Sequence, residues 1–195
     1  NGPIFDIAQL IRLVAMKRYP FFKLLTVFLL VLTVTSCRKN YTLPEKHAIL
    51  FQYEYVNNAM GHRHNGFYID NEGNVLTYND PEEWHFPDET LSINYDHVAE
   101  NLAQCTHSGI KVQDEILEKY SGHIPGIVLS KVTAEKNTGA DMGRIQYLCY
   151  QYDEHSHCYK GAVIKMEGDF TKENLNFYSR KIVTWLKSIA DSLSK

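Results

Sequence analysis

The strongest constraint on the fold is an apolar stripe near the C-terminus. Leu175, Tyr178, Ile182, Trp185, Leu186, Ile189 and Leu193 recur at helical spacing. That spacing predicts an amphipathic helix over about Lys172–Leu193, with Asp169 and Thr171 as candidate caps. Such a helix needs an apolar surface to cover, and upstream strands supply one. Ala48–Val56 is rich in strand formers. Gly66–Asp70 and Asn74–Tyr78 flank a turn at Asn71-Glu72-Gly73, and Arg144–Tyr152 with Cys158–Glu167 reads as a hairpin. Between them, Ser92 caps an expected helix over Ile93–Gln104, stopped at Gly109. A short helix covers Gln113–Tyr120, and Pro125–Val132 is taken as helix over strand. The order is that of an α+β fold. It is expected to hold an antiparallel sheet of about five strands, a meander plus a C-terminal-half hairpin, packed by helices.

A second stretch bears on location. Lys17, Arg18 and Lys23 precede an uncharged apolar run, Leu24–Val34. A bilayer span needs about 20 such residues, whereas this length fits the apolar core of a secretory signal. The run ends in Val34-Thr35-Ser36-Cys37, which resembles the lipobox of bacterial lipoproteins. The resemblance implies cleavage before Cys37 and lipid attachment to it. It also resembles, in style, the small lipoproteins of Bacteroidota, many without assigned function. Arg38-Lys39-Asn40 lacks the acidic residues that often mark surface export in that group, so the resemblance implies an outer-membrane anchor facing the periplasm. The expected organisation is an upstream segment, 1–15, set aside from fold reasoning; a signal peptide, 16–36; a lipidated tether, 37–46; and one globular domain, 47–195.

Charge narrows the partners. The chain has 20 basic and 23 acidic side chains; four basic and one acidic lie in residues 1–37, leaving 16 against 22 and a net of −6. With no Lys/Arg cluster, nucleic acid is a poor partner. The expected partners are the membrane, through the lipid, and an envelope protein or glycan.

Three cysteines remain after Cys37. If Asp153-Glu154 form a two-residue turn, Tyr152 lies opposite His155, Tyr150 opposite His157 and Cys149 opposite Cys158. A Cys149–Cys158 disulfide is then within reach, with Cys105–Cys149 as competitor. The pairs His62/His64 and His155/His157 are weak metal candidates, because neither brings a clear third or fourth ligand. No cofactor is expected.

Hydrolase motifs are lacking: the chain has no Gly-x-Ser-x-Gly and no His-Glu-x-x-His. Trp84-His85-Phe86, in an acidic loop flanked by prolines, is the candidate partner contact; the alternative is a loop that folds its aromatics back over the sheet. The expected function is a non-catalytic binding or accessory lipoprotein. The alternative is a lipid-tethered envelope hydrolase built from dispersed His, Asp and Glu. Convergence of these groups in one pocket would favour the enzyme.

Overall fold

The computed structural model describes residues 49–59 and 61–195. Cys37 and the whole of the expected signal peptide and tether lie outside the described residues. The fold is α+β, and its elements in chain order are β1 (Ile49–Asn57), β2 (Arg63–Asp70), β3 (Asn74–Asn79), β4 (Ser92–Asn94), α1 (Tyr95–Ala103), β5 (Thr106–Lys111), α2 (Asp114–Ser121), α3 (Ile124–Val128), β6 (Lys136–Asn137), β7 (Arg144–Asp153), β8 (Cys158–Gly168), β9 (Phe170–Glu173) and α4 (Ser179–Leu193). The antiparallel sheet runs β5-β3-β2-β1-β7-β8-β9-β6, with β4 also paired to β8. It has nine strands, so the expected five-stranded sheet was too small.

The meander forms where the turn chemistry points. Gly73 takes φ +82, and the Asp70 carboxylate accepts from the amides of Glu72 (2.9 Å) and Asn74 (2.8 Å), closing the β2–β3 turn. Two bulges then set which side chains reach each face. Ile49 pairs with Asp70 and Phe51 with Ile69, so Leu50 is the extra residue and joins Phe51 on one face. In β8, Lys165 faces Tyr147 and Val163 faces Leu148, leaving Ile164 as the extra residue.

On one face, Leu50, Phe51, Phe67, Ile69, Tyr147, Cys149 and Ile164 meet Leu117 of α2, Ile124 and Ile127 of α3, and Ile182, Leu186 and Ile189 of α4. Trp185 sets its ring edge-on to Phe51 at 5.3 Å. On the other face, Tyr68, Tyr78, Leu148, Tyr150, Tyr159 and Met166 meet Ile93 and Val98 of α1 and its approach.

Departures from expectation cluster where strands form on distant partners. Ser92–Asn94 pairs with β8, so Asn94 rather than Ser92 caps α1; its side chain accepts from the His97 amide at 2.8 Å. His107-Ser108-Gly109 lies in strand β5 rather than at a helix end. Phe170–Glu173 pairs with β8, which delays the last helix to Ser179. Asn174 Oδ1 accepts from the Asn176 amide and Asn176 Oδ1 from the Tyr178 amide, both at 2.9 Å, and these side-chain turns compete with helix. No helix among the described residues is long and apolar enough to cross a membrane.

Candidate functional site

Strand β1 alternates, and its even members Gln52 and Glu54 enter the tyrosine-lined face. Glu54 Oε1 lies 3.0 Å from His64 Nε2, with His64 1% and Glu54 3% exposed. Gln52 Nε2 donates to Tyr78 Oη at 2.8 Å, while Gln52 Oε1 accepts from Tyr150 Oη. Gly66 faces Glu54 across the strands, and a Cβ there would stand 2.6 Å from Tyr78 Oη. The hydroxyl therefore occupies space that only glycine leaves open. Burial, then the Glu54 carboxylate, holds the Tyr68 and Tyr78 phenols well above their ordinary range. This network is satisfied internally, as buried polar groups require.

The Trp84-His85-Phe86 loop closes over it. Trp84 stacks on Tyr68 (5.7 Å, 10°) and lies 4.2 Å from the Tyr78 ring; its Nε1 is buried without a hydrogen-bond partner among the described residues. Phe86 lies 5.0 Å from the His64 ring yet stays 49% exposed. Trp84 has folded back over the sheet; Phe86 is part wall and part surface.

Helix α1 holds this loop. Asn101, fully buried, accepts from the His85 amide at 2.9 Å and donates to the His85 carbonyl at 2.8 Å. Gln104 Nε2 donates to the Glu83 carbonyl. Glu100 Oε2 lies 2.6 Å from His85 Nε2, and His97 stacks on the His85 ring at 4.1 Å. These four residues follow i, i+3, i+4, i+7 spacing, a polar helix face turned to a loop. Sequence reasoning missed Asn101, Gln52 and Glu54. Their signals were the polar positions at helical spacing and the polar pair at strand spacing inside an apolar run.

The other end of α1 borders a pocket of about 470 Å³ lined by Asn94, Tyr95, Asp96, Tyr152, Ser156 and His157. His157 takes φ 52 in the β7–β8 turn, and its Nδ1 lies 3.2 Å from Tyr152 Oη. The Asp153 carboxyl is lowered to about 2 by the Lys160 ammonium, then by the His155 amide.

The hairpin register differs from the expected one. Asp153 pairs with Cys158 and Tyr152 with Tyr159, so residues 154–157 form the turn and Cys149 faces Ala162. Cys149 and Cys158 are offset by four residues, about 13 Å along the strand, beyond the ~7 Å a disulfide tolerates. Cys105, Cys149 and Cys158 are free thiols in this structure, and Cys105 and Cys149 pack into the clusters on opposite faces of the sheet, so the competitor pair is not brought together either. Burial pushes the Cys105 thiol up to about 12 and raises that of Cys149.

The histidine pairs separate as well. His64 turns inward to Glu54, whereas His62 is exposed with Nδ1 2.9 Å from Asn58 Oδ1. His155 is exposed, and the His157 ring engages Tyr152. No group of three or more His, Cys, Asp or Glu side chains placed to hold a metal occurs among the described residues. The arrangement offers two things: a buried His–carboxylate pair sealed from solvent, and above it a braced aromatic and imidazole surface suited to stacking and hydrogen bonding. No family model, curated protein or solved structure matches this chain.

Proposed function

We propose that this protein is a lipid-anchored, non-catalytic binding module of the bacterial cell envelope, held through Cys37 at the outer membrane and facing the periplasm. It contacts an envelope protein or glycan through Phe86 and His85. The observation that carries the binding reading is the bracing of that loop. An exposed aromatic ring on a backbone held at both polar atoms of His85 loses little freedom when a ligand docks. The anchor reading rests on the basic flank, apolar run and cysteine of residues 17–37.

The test is binding of the full chain to isolated envelope glycans and to envelope proteins, compared with Phe86→Ala. Binding that survives Phe86→Ala undiminished sinks the loop as the contact. Fatty-acid labelling that persists in Cys37→Ala sinks the anchor. The hydrolase reading has one observation in its favour, the 3.0 Å approach of His64 to Glu54. Their burial keeps substrate away from both, and turnover of an envelope ester or glycoside that is lost in Glu54→Gln would reverse that judgement.

A further inference from the structure

Three large apolar side chains stand out in solvent next to one another: Leu129 at 87%, Leu175 at 64% and Phe177 at 78% exposed. They belong to two segments joined by backbone pairing. The Leu175 amide donates to the Lys131 carbonyl at 2.9 Å, and Val132 bridges Asn174. Buried Asn174 donates to the Ile127 carbonyl at 3.1 Å, and Asn176 Nδ2 to Ser130 Oγ at 3.4 Å. The apolar tips are thus carried on a braced platform.

Cations surround them. Lys181 lies 5.4 Å from the Phe177 ring centre, and Lys131 sits in the paired segment. Lys119, Lys131, Arg180 and Lys181 enter no ion pair among the described residues. His123, stacked on Tyr178 at 3.5 Å, has its pKa lowered by burial and then by Lys119 and Lys181, so this surface is locally positive within an acidic domain.

We infer that the Leu129–Leu175–Phe177 surface, with Lys131 and Lys181 beside it, docks on an anionic lipid headgroup layer. Phenyl and leucyl groups enter the headgroup–acyl boundary while ammonium groups meet phosphates. The proposal rests on the anchor part of the function above and adds an orientation to it. Asn174 donates to Ile164 of β8 at 3.0 Å, and the chain from there runs toward the sheet end where β1 begins. Cys37 is 12 residues before Ile49, a reach of up to about 40 Å from that same end. His64, beneath Phe86, pairs with Val56 at the opposite end of β1 and on the other face. Docking by Phe177 therefore leaves Phe86 turned away from the bilayer.

The experiment reads an indole at each surface. Lipidated full chain carrying Phe177→Trp or Phe86→Trp is placed on phosphatidylcholine vesicles, with and without phosphatidylglycerol, containing brominated acyl chains. The parent emission of Trp84 and Trp185 is subtracted. The Phe177→Trp emission is expected to shift blue and be quenched on the anionic vesicles, whereas Phe86→Trp emission stays as in buffer. Adding Lys131→Glu and Lys181→Glu weakens the docking equilibrium by at least about thirtyfold, at roughly 1 kcal/mol per lysine, and lowers the quenching with it. A chain that stays on vesicles while its Phe177→Trp emission matches that in buffer overturns the docking and leaves the anchor standing. A blue shift without vesicles that disappears on dilution assigns the patch to a second copy and overturns it too. If the chain takes up no fatty acid, the anchor reading fails, and the same quenching on added vesicles decides the patch alone.

Discussion

The two faces of one sheet are built to different rules. The face under α2, α3 and α4 is closed by aliphatic side chains, with Ile182, Leu186 and Ile127 fully buried. The face under α1 is lined by Tyr68, Tyr78, Tyr150 and Tyr159 and holds Gln52, Glu54 and His64 among them. The first face resists the loss of volume. The second depends on pairing the polar atoms of Gln52, Glu54 and His64, because an unpaired group at low dielectric costs more than its bond gains. The lesson is that burial alone does not rank these positions; what each buried atom touches does.

The largest effect is expected on the aliphatic face. Leu186→Ala removes a fully buried side chain from the core between α4 and the sheet and is expected to cost about 2–5 kcal/mol in urea unfolding. A loss below about 1 kcal/mol would mean that α4 contributes little to closing the sheet.

Next comes the polar face. His64→Phe leaves the Glu54 carboxylate without its nearest partner and should cost about 1–3 kcal/mol. Adding Glu54→Leu should recover part of that, because both polar groups are then gone. Additive losses in the double variant would show that the pair is not coupled.

Asn101→Ala removes both side-chain bonds to His85 and should cost about 1–2 kcal/mol. Its sharper readout is hydrogen exchange at the His85 amide, which is expected to speed up while amides of β1 hold. Unchanged exchange would remove the clamp from the account.

A smaller effect ties α4 to the sheet through Glu167, which lies 2.8 Å from Lys187 and from Lys165. Partial burial opposes ionisation of Glu167, but the two ammonium groups outweigh it and lower its pKa. A depressed folded pKa gives stability that is present above the unfolded value and lost as pH falls through the folded one. Lys187→Met is therefore expected to lose a few tenths of a kcal/mol at neutral pH, a deficit that narrows as pH drops below about 4. A deficit that persists in acid would place the Lys187 contribution in packing of its stem.

The smallest stability change belongs to Phe86→Ala, within about 0.5 kcal/mol, since half of the ring is in solvent. A large loss there would make Phe86 part of the core and remove it from the surface offered to a ligand.

Much of the architecture was legible. The Gly73 turn and the helix before Gly122 follow from turn chemistry and spacing within a few residues, and the last helix ends at Leu193 as its spacing requires but begins at Ser179, seven residues after its expected start. The candidate site was legible at one corner, Trp84-His85-Phe86, and its support was not. Asn101 reads as an ordinary polar helix residue until the loop 16 residues earlier lies against it. Cys149 and Cys158 show the reverse error: a two-residue turn fits the local sequence, but four turn residues and pairing of Asp153 with Cys158 carry the cysteines apart.

By itself, the sequence determined the α+β class, the amphipathic last helix and the central hairpins, because period and turn residues act over short spans where neighbours decide conformation. Only the tertiary structure decided that Ser92–Asn94, Lys136–Asn137 and Phe170–Glu173 become strands, where the bulges fall, and that Glu54 meets His64. Those outcomes depend on backbone and side-chain partners far along the chain, whose hydrogen bonds override weak local preference.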